Sequence, residues 1–561
     1  MASTTYQTAS DIPSSSPPPV SPVTVLASSR AVVDGRLTEA TIVISTATGK
    51  ISSIFHSVLP PTYFPAGTPY VDHSPHILIP GLVDAHVHLN EPGRTEWEGF
   101  WHGTRAAAFG GVTTVVDMPL NAIPPTTTVD GFREKIDAAQ GKCWVDVGFY
   151  GGIIPGNEKE LIPLVKAGVR GFKGFLIDSG VPEFPAVSAE DISKAFQELA
   201  DQPTTAMFHA EMIPPVTASV GDDVQQSLPP LAPTGSLTAY RTFLDSRPPS
   251  FETYAIEQIV SLAHLAPNLP LHIVHLSATQ AIPILRAARA DGINITAETC
   301  FHYLSLAAEE IADGDTRHKC CPPIREQANQ DVLWDELQRS AAEGVIKTVV
   351  SDHSPCTPNL KILPPNVAGG SACVVSGCCG NDSDASDSAS GCVSGSESPS
   401  PASSEDADAV TEVAVVREGN ASAEVADRGD FFAAWGGISS VGLGLPILWT
   451  EAQKRGGDVG IEDVVEWCCR NTAKQVGLLG KKGDLAVGYD GDVAVFDDCG
   501  EFTVEHSTML FRNKCSPYEG LKLKGVVKET WLRGRKIHSR TEGFGENVKP
   551  VGRTLLEPRT Y

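Results

Sequence analysis

The sequence contains no uninterrupted apolar stretch of the length needed to cross a membrane, which is about 18 residues. Residues 1–22 contain no Lys or Arg and no apolar segment typical of a secretory signal, and the first Arg of the chain is Arg30. An Arg-rich transit peptide is disfavoured for the same reason. We therefore expect residues 1–22 to form a disordered tail and the protein to be cytoplasmic, without a membrane partner.

Positive charge is also scarce, and so are recognisable cofactor motifs. The chain has 43 Lys and Arg against 68 Asp and Glu, a net charge of −25, which disfavours nucleic acid as a partner. Its 13 cysteines are odd in number and lack zinc-ribbon spacing, so we expect reduced thiols. No phosphate-binding loop or dinucleotide fingerprint stands between a strand and a helix, so nucleotide chemistry is not supported.

Both ends of the chain are rich in short β-type segments separated by turn residues. Residues 23–80 show this pattern, and it returns in residues 481–540. We interpret the two segments as one small β-sandwich domain built from both ends, followed by a C-terminal tail at 541–561. With 561 residues, the chain is long enough for this domain and a large barrel.

The middle of the chain, residues 81–480, alternates strand-like and helix-like segments. The strand candidates are 82–88, 112–118, 145–151, 169–176, 204–209, 271–276, 293–299 and 346–352. Helical or polar connections such as 98–109, 189–200, 252–265 and 278–290 separate them. Eight strand-then-helix units predict an α/β fold, a (β/α)8 TIM-type barrel with its active groups at the C-terminal ends of the strands.

One segment does not fit the barrel pattern. Residues 362–429 are rich in Ser, Gly and acidic residues and have almost no aromatic residues, so they bury too little to offset the entropy of ordering. They follow the eighth strand, on the face where we expect the active site. We predict a long disordered insertion, and interpret its cysteines as part of a solvated loop rather than metal ligands.

Polar residues recur at the predicted strand ends. They are His86, His88, Lys173, His209, His275 and Asp352. One such histidine alone is more often structural than a ligand, but six residues at five strand ends suggest a metal centre, because imidazole and carboxylate suit zinc and similar cations. A lysine ammonium has no free lone pair, so Lys173 either pairs with an anionic substrate or is converted to an anion. Asp352 is a candidate catalytic acid and base.

Several longer motifs carry a family resemblance. They are DAHVHLNEPGRTEWEGF, FKGFL, FHAE, VHLS, AETCFHYL, KCCPPIR, SDHSPCTPNLK, AAWGGISS and NTAKQVGLLGKKGDLAVGYDGDVAVFD. With them the sequence resembles the allantoinase family, within the cyclic amidohydrolases that include hydantoinases, dihydropyrimidinases and dihydroorotases. The resemblance covers the barrel and the C-terminal β-rich segment, but not residues 1–22 or the insertion.

The resemblance implies an activity and a set of ligands. The activity is hydrolysis of the hydantoin ring amide of allantoin to allantoate, a step of purine catabolism. It requires two divalent metal ions, which we expect to be zinc. The resemblance implies that Lys173 is an N6-carboxylysine bridging both ions, that His86, His88 and Asp352 complete one shell, and that His209 and His275 complete the other. It also implies a homo-oligomer, a dimer or tetramer.

Candidate substrate contacts rest on position. Asn90 stands where dihydroorotases place an Arg for the substrate carboxylate, which favours a neutral ring, although Arg94 is close enough in sequence to serve an anion or to pair with a surface Glu. Ser277 is either a helix N-cap or a substrate contact. His353 follows the candidate ligand Asp352 and is our third candidate. A hydantoinase, dihydropyrimidinase or dihydroorotase-like enzyme, and a catalytically silent scaffold of the same fold, stay as alternatives.

Overall fold

The computed structural model describes residues 22–214, 231–339, 342–364, 428–456, 458–545 and 549–559. Its strands are β1 (Val23–Val33), β2 (Arg36–Ser45), β3 (Ile51–Phe55), β4 (Tyr70–Asp72), β5 (Ile77–Pro80), β6 (Leu82–Val87), β7 (Val112–Asp117), β8 (Asp146–Phe149), β9 (Gly151–Gly152), β10 (Phe172–Phe175), β11 (Ala206–His209), β12 (Leu271–Ile273), β13 (Ile295–Cys300), β14 (Ile346–Val350), β15 (Val493–Thr503), β16 (Lys522–Leu532) and β17 (Arg535–Ser539).

Its α-helices are α1 (Phe100–Phe109), α2 (Val129–Ala139), α3 (Glu158–Ala167), α4 (Ala189–Leu199), α5 (Tyr240–Asp245), α6 (Pro249–Leu262), α7 (Ile282–Ala290), α8 (Phe301–Ser305), α9 (Gln327–Leu337), α10 (Gly444–Lys454), α11 (Ile461–Val465) and α12 (Asn471–Gln475). A π-helical turn, Glu466–Arg470, joins α11 to α12. In the part of the chain that the structure describes, no helix is both long enough and apolar enough to span a membrane.

Strands β6 to β14 run parallel around a barrel. β6, β7 and β8 pair in one sheet, β9 to β14 pair in a second, and only Tyr150 separates β8 from β9. The remaining edges meet where Val87 bridges His353 and the His88 amide donates to the His353 carbonyl at 2.8 Å. The predicted barrel is therefore confirmed, and each observed strand lies within one residue of a predicted segment.

The barrel strands are buried on both faces, which explains their sequence. All six residues of β7 are buried, for example, and five of them are Val or Thr. β-Branched residues suit such positions, while the helices that follow the strands cover the outside of the barrel. Polar residues are tolerated at the strand ends, and the C-terminal ends all open on one face. The topology therefore brings together side chains that are far apart in sequence.

The β-rich ends of the chain also meet, but not as two packed sheets. One eight-stranded sheet runs in the order β17-β16-β15-β5-β1-β2-β3, with β4 paired to β1. β5 joins the two chain ends by pairing antiparallel with β15 from Ile77 to Pro80. The pattern predicted a β-sandwich; the described strands form a single sheet instead. Leu26, Ile42 and Val493 are part of a separate small core of this unit, whereas Phe496 packs into the barrel core.

Gly81 makes the direct passage from this sheet into the barrel possible. It is the single residue between β5 and β6, and a Cβ there would lie 2.1 Å from Thr113 Oγ1. Only glycine allows this close approach of backbone to side chain. The same extended segment therefore fixes the small domain against the barrel and carries the chain to the first two histidines.

The C-terminal segment packs onto the barrel. Gly552 N donates to the Cys143 carbonyl and Leu555 N to the Val147 carbonyl, each at 2.8 Å, and Leu555 is buried. Residues 549–559, which the sequence pattern assigned to a C-terminal tail, thus lie along β8. The sequence did not indicate this because the segment makes its contacts with a strand some 400 positions earlier.

The predicted disordered segments lie almost wholly outside the described residues. Of the N-terminal tail, only residue 22 is described, and of the insertion, only 362–364 and 428–429. The two ends of the insertion are adjacent: Gly429 N donates to the Ile362 carbonyl at 2.6 Å. The chain therefore leaves the barrel and returns to it at one place.

Replacing residues 365–425 with a short Gly/Ser linker should leave catalysis and folding nearly unchanged, because the two ends already meet. We expect KM and turnover within about threefold of the parent, and a melting temperature lowered or raised by less than about 3 °C. Steady-state kinetics and thermal unfolding with metal content measured on the same sample check this. A loss of turnover above about tenfold at intact metal content would instead assign the insertion a part in catalysis.

Candidate metal centre

The six predicted ligands converge on the C-terminal face of the barrel. They reach it from the ends of β6, β10, β11, β12 and β14. All six line one cavity of about 800 Å³, and they are His86, His88, Lys173, His209, His275 and Asp352. The cavity has the size of an ordinary small-molecule site.

One group of donors gathers around the Asp352 carboxylate. Its Oδ1 lies 3.2 Å from His86 Nε2 and 3.5 Å from His88 Nε2. The other ring nitrogen of His86, Nδ1, contacts Glu298 Oε1 at 2.5 Å. The Glu298 carboxylate accepts a hydrogen bond from the Nδ1–H group of the neutral ring, in which Nε2 then presents its lone pair to the Asp352 side.

A second group gathers around Lys173. His275 Nε2 lies 3.1 Å from His209 Nδ1 and 3.5 Å from Lys173 Nζ. His209 Nε2 contacts Glu211 Oε2 at 2.7 Å. In the neutral ring, Nε2–H therefore donates a hydrogen bond to Glu211, and Nδ1 presents its lone pair to His275.

These contacts fit a pair of cations. His86 Nε2 and the Asp352 oxygen are both acceptors at 3.2 Å, and His86 Nε2 has no hydrogen-bond partner although it is buried. Two acceptors at that distance repel unless a cation lies between them. Around a tetrahedral zinc ion, donor atoms lie about 3.3 Å apart, which is the spacing found in both groups.

Burial sets the protonation states that metal ligands need. It lowers the pKa of His88 to about 4 and, against the nearby Glu211 carboxylate, lowers that of His209. The pKa of His275 falls well below its usual value, by burial and then by the charge on Lys173. Burial alone would raise the pKa of Asp352, but His86 and the hydrogen bond from His88 hold it well below its ordinary value. Three neutral imidazoles and an anionic carboxylate result.

Backbone strain accompanies these side chains. His275 has a φ of 38° and Asp352 a φ of 42°, in the left-handed region that non-glycine residues rarely adopt. Each follows its strand by two residues, so the strained conformation turns the side chain into the cavity. Strain of this kind costs about 1–3 kcal/mol per residue and is kept where the surrounding structure enforces it for a function.

Two buried glutamates orient the histidines, and the sequence analysis did not single them out. Glu298, within β13, also contacts His272 Nε2 at 3.1 Å. Glu211 is held by Arg247, whose Nη1 donates to Glu211 Oε2 at 2.7 Å. Despite burial, the pKa of Glu211 is lowered to about 2 by Arg247 and the hydrogen bond from His209, and that of Glu298 to about 2 by His86 and the hydrogen bond from His272. The one available signal was the spacing of His209 and Glu211, two apart in FHAE and therefore on one side of an extended chain.

Glu211→Gln should weaken metal binding by about 10–100-fold, the usual cost of losing a carboxylate that orients a ligand histidine. The change leaves Arg247 without its counterion and removes the charge that fixes the His209 tautomer. Metal retained after dialysis against a chelator series measures the effect. Glu183→Gln is the matched control because it breaks another Arg–Glu pair, that of Arg94. Equal metal retention in the two variants would remove Glu211 from the metal shell.

The three candidate substrate contacts lie beneath the cavity surface. Asn90 Nδ2 donates to the Pro355 carbonyl at 3.3 Å, and Ser277 Oγ donates to the Pro323 carbonyl at 2.7 Å. His353 Nδ1 accepts from the Ser440 amide at 3.0 Å. None of the three is among the described residues that line the cavity. Their places suit residues that shape the loops around the site.

Other cavity-lining residues come from loops that the sequence pattern left without a role. Lys319 and the aromatic residues Phe432 and Trp435 also line the cavity. Lys319 Nζ donates to the Phe432 carbonyl at 3.0 Å and also to that of Ala434, so it holds the loop that follows the insertion. Arg94 does not line the cavity; it pairs with Glu183 rather than with Glu96 or Glu98.

Comparison with known proteins agrees with this barrel fold. The amidohydrolase family model matches residues 77–229 and 448–537. The structure of L-hydantoinase (dihydropyrimidinase) from Arthrobacter aurescens superposes with a TM-score of 0.73 over 95% of this chain and 99% of that one, at 24% identity. The solved structure shows the fold, a TIM-type barrel, and the family match indicates an amidohydrolase, a metal-dependent class of hydrolase.

The relatives in sequence identify the family within this class of hydrolases. Allantoinase from Saccharomyces cerevisiae is 44% identical over 96% of this chain and all of its own length. Allantoinase from Streptomyces avermitilis is 41% identical over 91% of this chain and 94% of its own. A relative from Aquarana catesbeiana, named as a mitochondrial allantoinase, is 39% identical over 82% of this chain and 77% of its own. The chain belongs to the allantoinase family.

Proposed function

We propose that the protein hydrolyses the hydantoin ring amide of allantoin to give allantoate. The observation that carries the proposal is the convergence of four histidines, a lysine and an aspartate on one cavity, at the donor spacing of a metal pair. Family membership, through relatives named allantoinase, supplies the substrate. A silent scaffold would have no need to keep the whole donor set in its metal-binding protonation states.

In this proposal two divalent cations, expected to be zinc, occupy the two donor groups. His86, His88 and Asp352 would hold one cation, His209 and His275 the other, and Lys173, as an N6-carboxylysine, both. When bound, such a pair acidifies water and polarises the amide carbonyl. Lys173 is buried among ligands that need an anion, and burial lowers its pKa to about 8, which leaves more of the free amine that adds CO2.

The chain's own residues then move the proton. Water oxygen adds to the ring amide carbon, the water proton passes to the Asp352 carboxylate, and Asp352 delivers it to the ring nitrogen as the C–N bond breaks. Ser354 Oγ donates to Asp352 Oδ1 at 2.7 Å and holds the carboxylate in place. Phe432 and Trp435 belong to the wall of the same cavity.

The cavity favours a neutral substrate over an anionic dihydroorotate. Of the described cations that line it, Arg247 is paired with Glu211, Lys319 donates to carbonyls of its neighbouring loop, and Lys173 lies among the metal ligands. Among these side chains the Arg247 charge is already paired, and the Lys319 ammonium already donates to two backbone carbonyls. The described part of the cavity therefore offers no unpaired arginine for a bidentate ion pair with a substrate carboxylate, whereas the ureide of allantoin needs only hydrogen bonds.

The test is a substrate panel on one preparation of known metal content. We expect kcat/KM on allantoin to exceed that on hydantoin, dihydrouracil and dihydroorotate by at least about tenfold, or ~1.4 kcal/mol. We expect roughly two metal ions per chain, with zinc giving the highest turnover in reconstitution. A higher kcat/KM on hydantoin or dihydrouracil would favour the hydantoinase alternative. Absence of both bound metal and turnover would favour the catalytically silent scaffold.

We also propose that the protein is cytoplasmic and, on the basis of the family resemblance, that it forms a homo-oligomer, a dimer or tetramer. Cell fractionation decides the compartment, for which the mitochondrial relative is the competing precedent. Light scattering on the purified protein measures the mass against the 59.4 kDa of one chain.

A further inference from the structure

A further group of side chains that could hold a metal ion shares the carboxylate of Asp352. The ligand atoms of Cys300, His302 and Asp352 all lie within 4.8 Å of one another, and all three residues are buried. Cys300 ends β13 and His302 follows two residues later, at the start of α8. The proposed function uses Asp352 but neither Cys300 nor His302.

His302 is the observation that requires a ligand. Both of its ring nitrogens lack a hydrogen-bond partner, although the residue is only 1% exposed. A neutral imidazole carries one donor and one acceptor, and leaving either unpaired in the interior costs about 1–3 kcal/mol. The ring contacts Tyr303 edge-on, which satisfies neither nitrogen. Something that accepts a nitrogen lone pair therefore fits this position.

The neighbours of His302 indicate which kind of ligand fits this position. A thiol and a carboxylate, together with an imidazole, are the donors that zinc and softer divalent cations prefer, and they exclude magnesium and calcium. Tetrahedral zinc needs these donors about 3.3–3.7 Å apart, which small side-chain rotations reach from the observed separation. Asp352, a member of the cluster, also lines the catalytic cavity, so a cation can reach the cluster from there.

We propose that Cys300, His302 and Asp352 form a third cation site, specific for thiophilic divalent ions, whose occupation inhibits the enzyme. Binding forms a metal–sulfur bond and releases the thiol proton to solvent, with no change of oxidation state. The third cation also draws on the Asp352 carboxylate, which the reaction needs as proton acceptor. The inhibition rests on the proposed function, whereas the binding does not.

Cadmium is the probe because its bond to a thiolate gives a charge-transfer band in the ultraviolet. The protein is first loaded with its two catalytic zinc ions and then titrated with Cd²⁺, with no substrate present. We expect one further equivalent to bind without release of zinc, with a band of one thiolate. Cys300→Ala should abolish the band and weaken this equivalent by at least about tenfold. Cys356→Ala, a buried thiol outside the cluster, should change neither.

The same preparations then test inhibition. Excess Zn²⁺ should lower turnover of the parent and of Cys356→Ala, and lower that of Cys300→Ala much less, each relative to its own rate without added zinc. If the parent binds no additional Cd²⁺, or binds it without the band, the third site does not exist, even if Cys300→Ala fails to fold. A band that persists in folded Cys300→Ala would equally overturn the assignment. If the substrate panel shows that allantoin is not the substrate, the result of the cadmium titration still stands.

Discussion

Lys173→Ala is expected to lose most of its bound metal and to turn over allantoin more than about 10³-fold more slowly than the parent, a barrier increase above ~4 kcal/mol. The ammonium of an unmodified lysine cannot bind a cation, so the effect depends on its conversion to a carbamate. In the structure Lys173 Nζ lies 3.5 Å from His275 Nε2, and its side chain is buried.

Removing Lys173, the anion that both donor groups share, is expected to lower metal content and turnover more than removing any single residue that orients a ligand. Removing Glu211 changes the orientation and tautomer of one histidine, whereas removing Lys173 leaves both donor groups short of a negative ligand. A cation pair without a bridging anion also repels itself strongly in a buried site. Metal content should therefore fall together with turnover.

Chemical rescue separates this role from a structural one. A short carboxylic acid such as acetate or propionate fits the space left by the lysine side chain and should restore part of the metal and the rate to Lys173→Ala. Labelling the parent with ¹³CO2 should give one carbamate carbon resonance, absent from the variant. Lys166→Ala, at the end of α3, is the control for loss of a lysine. Full metal occupancy and rate in Lys173→Ala would refute the bridging role.

The barrel and its donors could be predicted from the sequence because both follow from local periodicity. Buried parallel strands produce β-branched runs, and their C-terminal ends must meet on one face, so His209 and Asp352 could be brought together without coordinates. The six predicted ligands line one cavity for this reason. Only the order of strands around a barrel, not any long-range contact, was needed.

Contacts set by packing between distant segments could not be predicted in this way. Glu298 contacts His86 across the barrel, 212 positions away, and nothing local distinguishes it from any other strand-end glutamate. Asn90, Ser277 and His353 were chosen by proximity to ligands in sequence, but the chain turns sharply at the strand ends and their side chains lie below the cavity. Pairing of β5 with β15 into one sheet depended likewise on contacts between the chain ends.

Asp352→Asn is expected to lower turnover by about 10²–10⁴, the usual span for loss of a general acid and base, while part of the metal is retained. Asparagine keeps the shape of the side chain and an amide oxygen that can still bind a cation, but it cannot accept and return the proton. KM should change little, since Asp352 is expected to act on the transition state rather than on the bound ring.

Measurement of metal content and turnover on one sample distinguishes this role from simple ligation. If Asp352 only held a cation, turnover per bound metal pair would be preserved, and activity would fall in proportion to the metal lost. If it moves the proton, turnover per metal pair falls by the full factor. Asp130→Asn makes the same chemical change at an exposed position and should leave turnover unchanged. A turnover of Asp352→Asn within about threefold of the parent would refute the proton transfer, because general acid and base groups contribute far more than that.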